Sequence, residues 1–198
     1  MLDIVKIYGE RNTGTTVLRK ILKQNFKCKL LFGTGRTQES ELIKKYEHYQ
    51  LDPHERLIFH EALIDDAVQK YLHEDLGWKH ACPPVEVIKT FTGLPKTLFI
   101  VMSKDPYAWL LSLHQRPYHQ KYTRKLSFSD FLRHYWLTSR KDNLKFSVIK
   151  NPVCLYILKL QSYKQLNQIN CHFIHIKYSD LLDDFTSVMN RLSLYLER

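Results

Sequence analysis

The chain begins with an apolar run that ends at a glycine. Leu2–Tyr8 (LDIVKIY) is rich in aliphatic and β-branched residues, which predicts a short strand. In Thr15–Phe26 the apolar side chains recur at the three- and four-residue spacing of an amphipathic helix. Thr97–Met102 (TLFIVM) is a continuous apolar run, which predicts a central parallel strand that is buried on both faces.

Strands and helices continue to alternate through the rest of the chain. Ala67–Pro84 predicts a helix that stops at Gly77, then a short strand before the prolines. Pro106 suits the first turn of another helix, and Asn151–Leu166 has a clear amphipathic pattern. A last strand is predicted over 171–178 and a capped terminal helix over 179–196. This alternation predicts an α/β fold with a largely parallel sheet.

The 198 residues are enough for one domain, and no clear domain boundary is visible. Residues 36–56 are polar, charged and weakly periodic. Together with the helical pattern that follows, they predict an insertion around residues 36–76 of a single domain that covers residues 1–198.

Basic residues outnumber acidic ones, and the net charge is +10. Such an excess favours an anionic partner: a nucleotide, a nucleic acid, a sulfated or phosphorylated substrate, or a membrane surface. No apolar segment is long enough to span a membrane, and the N-terminus lacks the apolar stretch of a secretory signal. A cytoplasmic location is therefore expected. No cysteines form a C-x-x-C pair, so free thiols are expected at Cys28, Cys82, Cys154 and Cys171.

The loop between the first strand and the first helix carries the first chemical signal. In YGERNTGTTVL, Gly9 and Gly14 have the spacing of a nucleotide phosphate loop, but Thr15 stands where that loop has lysine. The amides of Thr13–Thr16 would face an anion at the helix N-terminus, and the hydroxyls of Thr15 and Thr16 would add two donors. A phosphate esterified to a sulfonate, which needs less neutralisation than a triphosphate, would suit this loop. The alternative is a turn that only caps the helix.

A second signal follows the strand TLFIVM. Lys104, Asp105 and Pro106 come directly after it, and Ser112 stands eight residues after Lys104. On a helix that begins at Pro106, Ser112 lies about two turns from the start. Lys104 and Ser112 could then approach the same phosphate. The alternative is a strand-to-helix turn with a solvated lysine and a packing serine.

Four segments, in this order, resemble the sulfotransferase family. Arg11–Thr16 (RNTGTT) is similar to the family's 5′-phosphosulfate loop, in which lysine or arginine precedes Ser-Gly-Thr-Thr. Trp78–Pro84 (WKHACPP) resembles the segment in which a strand ends at Lys-Thr-His. The stretch from Lys104 to Ser112 resembles the 3′-phosphate segment. Residues 178–196 resemble the closing Tyr-x-Asp-Leu segment.

The resemblance implies a three-layer αβα fold of the P-loop type. It also implies 3′-phosphoadenosine 5′-phosphosulfate as the sulfonate donor, without a metal. The acceptor would be a hydroxyl or amine of a small molecule or carbohydrate, and no specific nucleic acid is implied. The donor-binding residues implied are Arg11, Asn12, Thr13, Gly14, Thr15, Thr16, Lys104 and Ser112.

The chain departs from the family at two charged positions. Asn12 stands where the loop has lysine or arginine, although Arg11 precedes it and would reach the sulfonate. Lys104 replaces an arginine, which keeps the charge but loses the two-pronged hydrogen bonding of a guanidinium. The Arg-Lys-Gly loop of the cytosolic branch is also absent, so the chain resembles the shorter bacterial or phage-like members.

Sulfonate transfer needs a base for the acceptor and positive charge at the leaving oxygen. His80 is the first candidate for the base, and His60 and Glu61 are the second. Lys79 or Arg11 would stabilise the leaving phosphate.

Two other classes of function remain open. A nucleotide kinase-like enzyme would share the glycine spacing, and a basic polyanion-binding protein would account for the net charge. A degenerate, inactive sulfotransferase-like protein lies between these readings. The basic and aromatic segment His114–Lys125 predicts either an acceptor-binding lid or a solvated loop.

Overall fold

The structure is a computed structural model that describes residues 1–31 and 52–198. Its strands are β1 (Ile4–Tyr8), β2 (Lys29–Leu31), β3 (Thr97–Ser103), β4 (Trp136–Leu137), β5 (Val148–Ile149) and β6 (His172–Lys177). Its α-helices are α1 (Thr15–Asn25), α2 (Pro53–Lys70), α3 (Leu72–Asp75), α4 (Val85–Thr90), α5 (Pro106–Gln115), α6 (Phe128–Arg133), α7 (Pro152–Lys164), α8 (Tyr178–Asp183) and α9 (Phe185–Ser193). Short 3₁₀ segments cover Leu94–Lys96, Tyr118–Lys125, Arg140–Asp142 and Gln165–Gln168.

A parallel sheet of four strands lies at the centre, in the order β2-β1-β3-β6. Ile4 of β1 pairs with Lys29 of β2 and with Thr97 of β3, and Leu98 of β3 pairs with His172 of β6. The strands β4 and β5 form a separate antiparallel pair. Because the four central strands are parallel, the loops that leave β1, β3 and β6 all emerge at one edge of the sheet.

Each face of the sheet is covered by helices. The odd and even positions of β1 and β3 point to opposite faces, as the two-residue period of a strand requires. One face packs against α1, α8 and α9 through Val5, Ile7, Leu18, Leu22, Leu98, Ile100, Met102, Leu181, Val188 and Leu192. The other packs against α4 and α7 through Tyr8, Ile88, Phe99, Val101, Tyr163 and Leu166. The predicted α/β class is confirmed, and the layers are helix, sheet, helix.

Several predicted elements are confirmed, and two need correction. The predicted strands at the N-terminus, at TLFIVM and near the C-terminus are β1, β3 and β6, and the first predicted helix is α1. The short strand predicted after Gly77 is wrong. This segment is a turn, because Ala81 N donates to Trp78 O at 2.9 Å. Its other backbone hydrogen bonds join Gly9 N to Lys79 O and Cys82 N to Asp142 O, and neither belongs to a strand pair. The terminal helix is broken at Asp184, whose side chain caps α9 by accepting from Ser187 N.

The predicted insertion at 36–76 lies partly outside the described residues, and its described part contains α2 and α3. None of the described helices has both the length and the apolar character that crossing a bilayer requires. The cysteines Cys28, Cys82, Cys154 and Cys171 are free, and of these Cys82 is buried. Trp109 and Trp136 lie fully inside a third apolar cluster, under α5, α6 and α7.

Candidate active site

The loop from Gly9 to Gly14 is closed by its own hydrogen bonds. Both the amide and the hydroxyl of Thr13 donate to Glu10 O, at 3.2 and 2.6 Å. Asn12 and Gly14 have positive φ angles of 66° and 89°, which turn the chain back toward the start of α1. The Gly9 amide donates to Lys79 O at 2.9 Å. The loop is therefore held both internally and by the segment around Lys79.

Gly14 is required by its backbone angle and by its neighbour. A Cβ atom at this position would lie 2.4 Å from Cδ2 of Tyr178. Gly14 also provides no side chain to cap α1, and its carbonyl accepts from Val17 N and Leu18 N. The amides of Thr15 and Thr16 belong to the first turn, so they have no acceptor within the helix. They form the positive end of the α1 dipole, which attracts anions.

A cavity of about 380 Å³ opens above this loop. It brings together many of the residues predicted to bind the donor. The prediction for Thr13 is wrong, because this residue is buried and its amide donates to Glu10 O instead of facing the cavity. The lining residues are Asn12, Gly14, Thr15, Thr16, Val17, His80, Lys104, Ser112, Gln115, Arg116, Tyr118 and Tyr178. Within the described part of the chain, this lining contains two cations, Lys104 and Arg116, and no carboxylate. Its charge suits an anionic ligand.

Lys104 and Ser112 form a pair on one side of the cavity. Lys104 Nζ donates to Ser112 Oγ at 2.8 Å, and the Ser112 hydroxyl donates to Ala108 O at 2.8 Å. Asp105 caps α5 by accepting from Ala108 N, and Pro106 occupies the first turn. This cap fixes the start of the helix, so Ser112 faces back toward the end of β3 as the eight-residue spacing predicted.

His80 contacts the start of the loop and also lines the cavity. Its Nδ1 is 2.5 Å from Gly9 O, and since a carbonyl only accepts, Nδ1 carries the proton and Nε2 is left with a lone pair. Its ring packs edge-on against Trp78 at 4.8 Å between centroids. Burial lowers the pKa of His80 well below its ordinary value, and the charges of Lys79 and Arg11 lower it further. The ring is therefore neutral near pH 7, with its lone pair at Nε2.

Lys79 supplies a positive charge at the start of α1. Its Nζ donates to Thr16 Oγ1 at 3.1 Å. The nucleotide phosphate loop carries a lysine within the loop itself, whereas here a lysine reaches the same helix from the turn after Gly77. The carbonyl of this lysine also accepts from Gly9 N, so the turn is bonded to both ends of the loop.

Arg11 does not line the cavity, in contrast to the expectation that it reaches a bound sulfonate. Its side chain is only 2% exposed and forms ion pairs with Glu10 at 3.0 Å and with Asp142 at 3.3 Å. Its guanidinium carbon lies 4.5 Å from the ring centre of Trp78. Burial alone would lower the pKa of Arg11, but Asp142 and Glu10 raise it above its ordinary range. Its charge is thus neutralised inside the protein.

Asp142 and Lys159 complete this buried network. Lys159 Nζ donates to Asp142 Oδ1 at 3.0 Å and to His80 O at 2.6 Å. Burial alone would raise the pKa of Asp142, but the charges of Arg11 and Lys159 hold it well below its usual range. The two cations balance Glu10 and Asp142, and the network fixes the backbone that carries His80. Breaking such a buried pair is costly because it leaves an uncompensated charge.

The alternative candidates for the base, His60 and Glu61, lie outside the cavity lining. Glu61 on α2 is bonded to the ammonium group of Lys141, and neither His60 nor Glu61 lines the cavity. Of the two choices that the sequence analysis left open, the structure brings only His80 to the loop.

Several lining residues were not predicted from the sequence. Arg116 and Tyr118 come from the segment His114–Lys125, whose basic and aromatic composition was the available signal. Tyr118 OH donates to Asn12 Oδ1 at 2.9 Å, so this segment lies against the loop. The Asn12 Nδ2 atom is buried and has no partner within the described part of the chain, which leaves a donor at the cavity.

Comparison of the chain with protein-family models and with curated proteins gave no match. The sulfotransferase resemblance therefore depends on the four sequence segments and on how their residues are arranged in this structure.

Proposed function

We propose that the protein is a sulfotransferase with a P-loop type fold that uses 3′-phosphoadenosine 5′-phosphosulfate. One observation carries this proposal: four residues of the loop, the Lys104–Ser112 pair and His80 border the same cavity; the loop residues are Asn12, Gly14, Thr15 and Thr16. These segments are far apart in the sequence and each was selected for a different part of the reaction. Their convergence supports a donor site with a base beside it.

The loop would bind the 5′-phosphosulfate. The amides and hydroxyls of Thr15 and Thr16 are donors at the helix N-terminus, and Asn12 Nδ2 is an additional unpaired donor. Lys79 stands next to Thr16 and would neutralise charge on the phosphate that leaves. Arg11 instead stabilises the loop through its buried ion pairs with Glu10 and Asp142.

The Lys104–Ser112 pair would bind the 3′-phosphate. A lysine offers a point charge where an arginine would offer two parallel hydrogen bonds. Arg116 lines the same cavity and would supply a second cation there. The absence of carboxylates among the described lining residues supports a ligand with several negative charges.

His80 would accept the proton of the acceptor at Nε2. The bond between the acceptor oxygen or nitrogen and sulfur forms as the bond between sulfur and the 5′-phosphate oxygen breaks. The products are the sulfated acceptor and 3′-phosphoadenosine 5′-phosphate. Replacement of His80 by glutamine should lower turnover by about 100-fold or more. The affinity of this variant for the desulfonated donor should stay within about threefold of the wild-type value, because the buried hydrogen bond from Lys159 to the backbone carbonyl of residue 80 remains.

Calorimetric titration with 3′-phosphoadenosine 5′-phosphate tests the donor site. We expect binding without added metal, weakened about tenfold in Thr16→Val because a hydroxyl donor is lost. Thr90→Val is the matched control, since the Thr90 hydroxyl bonds Val87 O on α4, away from the cavity. Binding of ATP only in the presence of magnesium would instead favour a kinase-like enzyme. Salt-sensitive binding of nucleic acid with no nucleotide binding would favour a polyanion-binding protein.

A further inference from the structure

A second and larger cavity, of about 690 Å³, lies between β6 and α7 and shares Lys104 with the first cavity. Its walls are mainly apolar and aromatic. They come from β3, α7 and β6 and include Val101, Tyr156, Leu160, Tyr163 and Phe173. Phe173, His175 and Lys177 of β6 line the cavity, and because they are spaced two residues apart they share one face of the strand. The volume and the lining are those of a site for a small organic ligand.

The rim of this cavity is positively charged. Lys104, Lys164 and Lys177 line it, and Asp105 is the only acidic residue among its described lining. The Asp105 carboxylate accepts from Ala108 N at the start of α5, where the helix dipole already compensates its charge. The rim therefore presents an excess of positive charge above apolar walls.

One polar pair interrupts the cavity wall. Ser103 Oγ and His175 Nε2 are 2.7 Å apart and both residues line the cavity. Burial lowers the pKa of His175, and the nearby charges of Lys177 and Arg191 lower it further, although Asp180 opposes them. The pair is therefore a neutral hydrogen-bonding group near pH 7. A few polar groups of this kind in an apolar site fix the orientation of a ligand.

We propose that this second cavity binds an apolar organic anion, an aromatic carboxylate or sulfate whose ring system lies against Tyr163 and Phe173. The charged group would lie at the rim, near Lys164 and Lys177, with Ser103 and His175 as hydrogen-bonding partners. The site shares Lys104 with the donor cavity but has its own apolar walls, and the proposal does not depend on the proposed function.

Calorimetric titration of the full chain with 2-naphthoate tests this site, with 2-naphthalenemethanol as the uncharged analogue. We expect both compounds to bind the wild-type protein. The double variant Lys164→Gln/Lys177→Gln should weaken naphthoate binding about fivefold and leave the alcohol unaffected, because partly exposed charges contribute modestly. Both lysines are exposed, so the fold should be retained. The matched control is Lys145→Gln/Lys150→Gln, which removes two exposed lysines elsewhere.

A variant that fills the cavity provides an independent measurement. Leu160→Trp should weaken the binding of both compounds, with circular dichroism used to verify the fold. The proposal is overturned if naphthoate does not bind the wild-type protein, or if the double lysine variant binds it as well as the control does. It is also overturned if Arg116→Gln, in the first cavity, is the variant that abolishes naphthoate binding.

Discussion

Two strand-to-helix connections leave the same edge of the sheet. They differ in whether a side chain caps the helix that follows. The connection from β1 to α1 ends at Gly14, which provides no side-chain cap. The connection from β3 to α5 ends at Asp105, whose carboxylate accepts from Ala108 N. Both connections contribute to one cavity, but a side-chain carboxylate occupies the helix start in the second connection and not in the first.

The two connections differ in one residue before the helix, Gly14 in the first and Asp105 in the second. The Asp105 carboxylate accepts from one first-turn amide, Ala108 N, and brings a negative charge to this end of α5, so an external anion is less favoured there. In the β3–α5 connection the positive charge comes instead from Lys104, directly before the cap. The proposed donor site therefore combines an uncapped helix with a lysine next to a capped one.

Replacing Gly14 by alanine should have the largest effect, because it alters the uncapped connection directly. The added Cβ would meet the Tyr178 ring, and the φ of 89° is strained for any side chain. We expect a loss of stability of about 1–3 kcal/mol. Affinity for 3′-phosphoadenosine 5′-phosphate should fall by about 100-fold or more, as expected when oriented amide donors are displaced. Thermal unfolding and calorimetry measure the two quantities.

Gly77→Ala is the matched control for that experiment. Gly77 also has a positive φ, of 78°, but its nearest neighbour would be Leu72 at 3.3 Å, away from the cavity. This variant should lose stability and keep its nucleotide affinity. Equal loss of affinity in both glycine variants would mean that the loop has no special role.

Lys104→Met should have the next largest effect, and it should depend on the ligand. If Lys104 holds the 3′-phosphate, affinity for 3′-phosphoadenosine 5′-phosphate should fall about 10-fold to 100-fold. Affinity for AMP, which lacks that phosphate, should change less than about threefold. Lys89→Met is the control, since Lys89 is exposed and pairs with Glu86 on α4. Equal weakening of both nucleotides would contradict the assignment.

The pH dependence of the free energy of unfolding tests the contact between His80 and Gly9, which belongs to the first connection and has no counterpart proposed in the second. The pKa of His80 is lower in the folded protein than in the unfolded chain, mainly through burial. Above about pH 6.5 both states are neutral at this residue. As the pH falls below that value, only the unfolded chain readily takes up the proton, so the folded state loses stability. Urea unfolding should show a smaller loss between pH 7 and pH 5 in His80→Gln. The same slope in both proteins would exclude His80 as a cause.

Asp105→Ala should have the smallest effect on binding. Removal of the cap should cost about 1 kcal/mol of stability. It also removes a negative charge next to Lys104, so the affinity for 3′-phosphoadenosine 5′-phosphate should change by about twofold or less, toward tighter binding. A large loss of affinity would show that Asp105 does more than cap α5.

The local features of the site were predictable from the sequence. The spacing of Gly9 and Gly14, followed by two threonines and an apolar helix, indicated the loop. The proximity of Lys104 and Ser112 follows from helix geometry, because α5 begins at Pro106 and Ser112 lies about two turns further along. The direction of the Arg11 side chain was not predictable, because it depends on Asp142, which lies 131 residues away in the sequence.

The sequence by itself determined the α/β class, the central strands and the two strand-to-helix connections, because periodicity, glycine and helix caps act over a few residues. Only the tertiary structure decided which charges face the cavity. It buried Arg11 between Glu10 and Asp142, brought Lys79 to Thr16, and placed His80 rather than Glu61 beside the loop. The physical reason is that a buried charge must find an opposite charge. Which one it finds is set by contacts between segments that are distant in the chain.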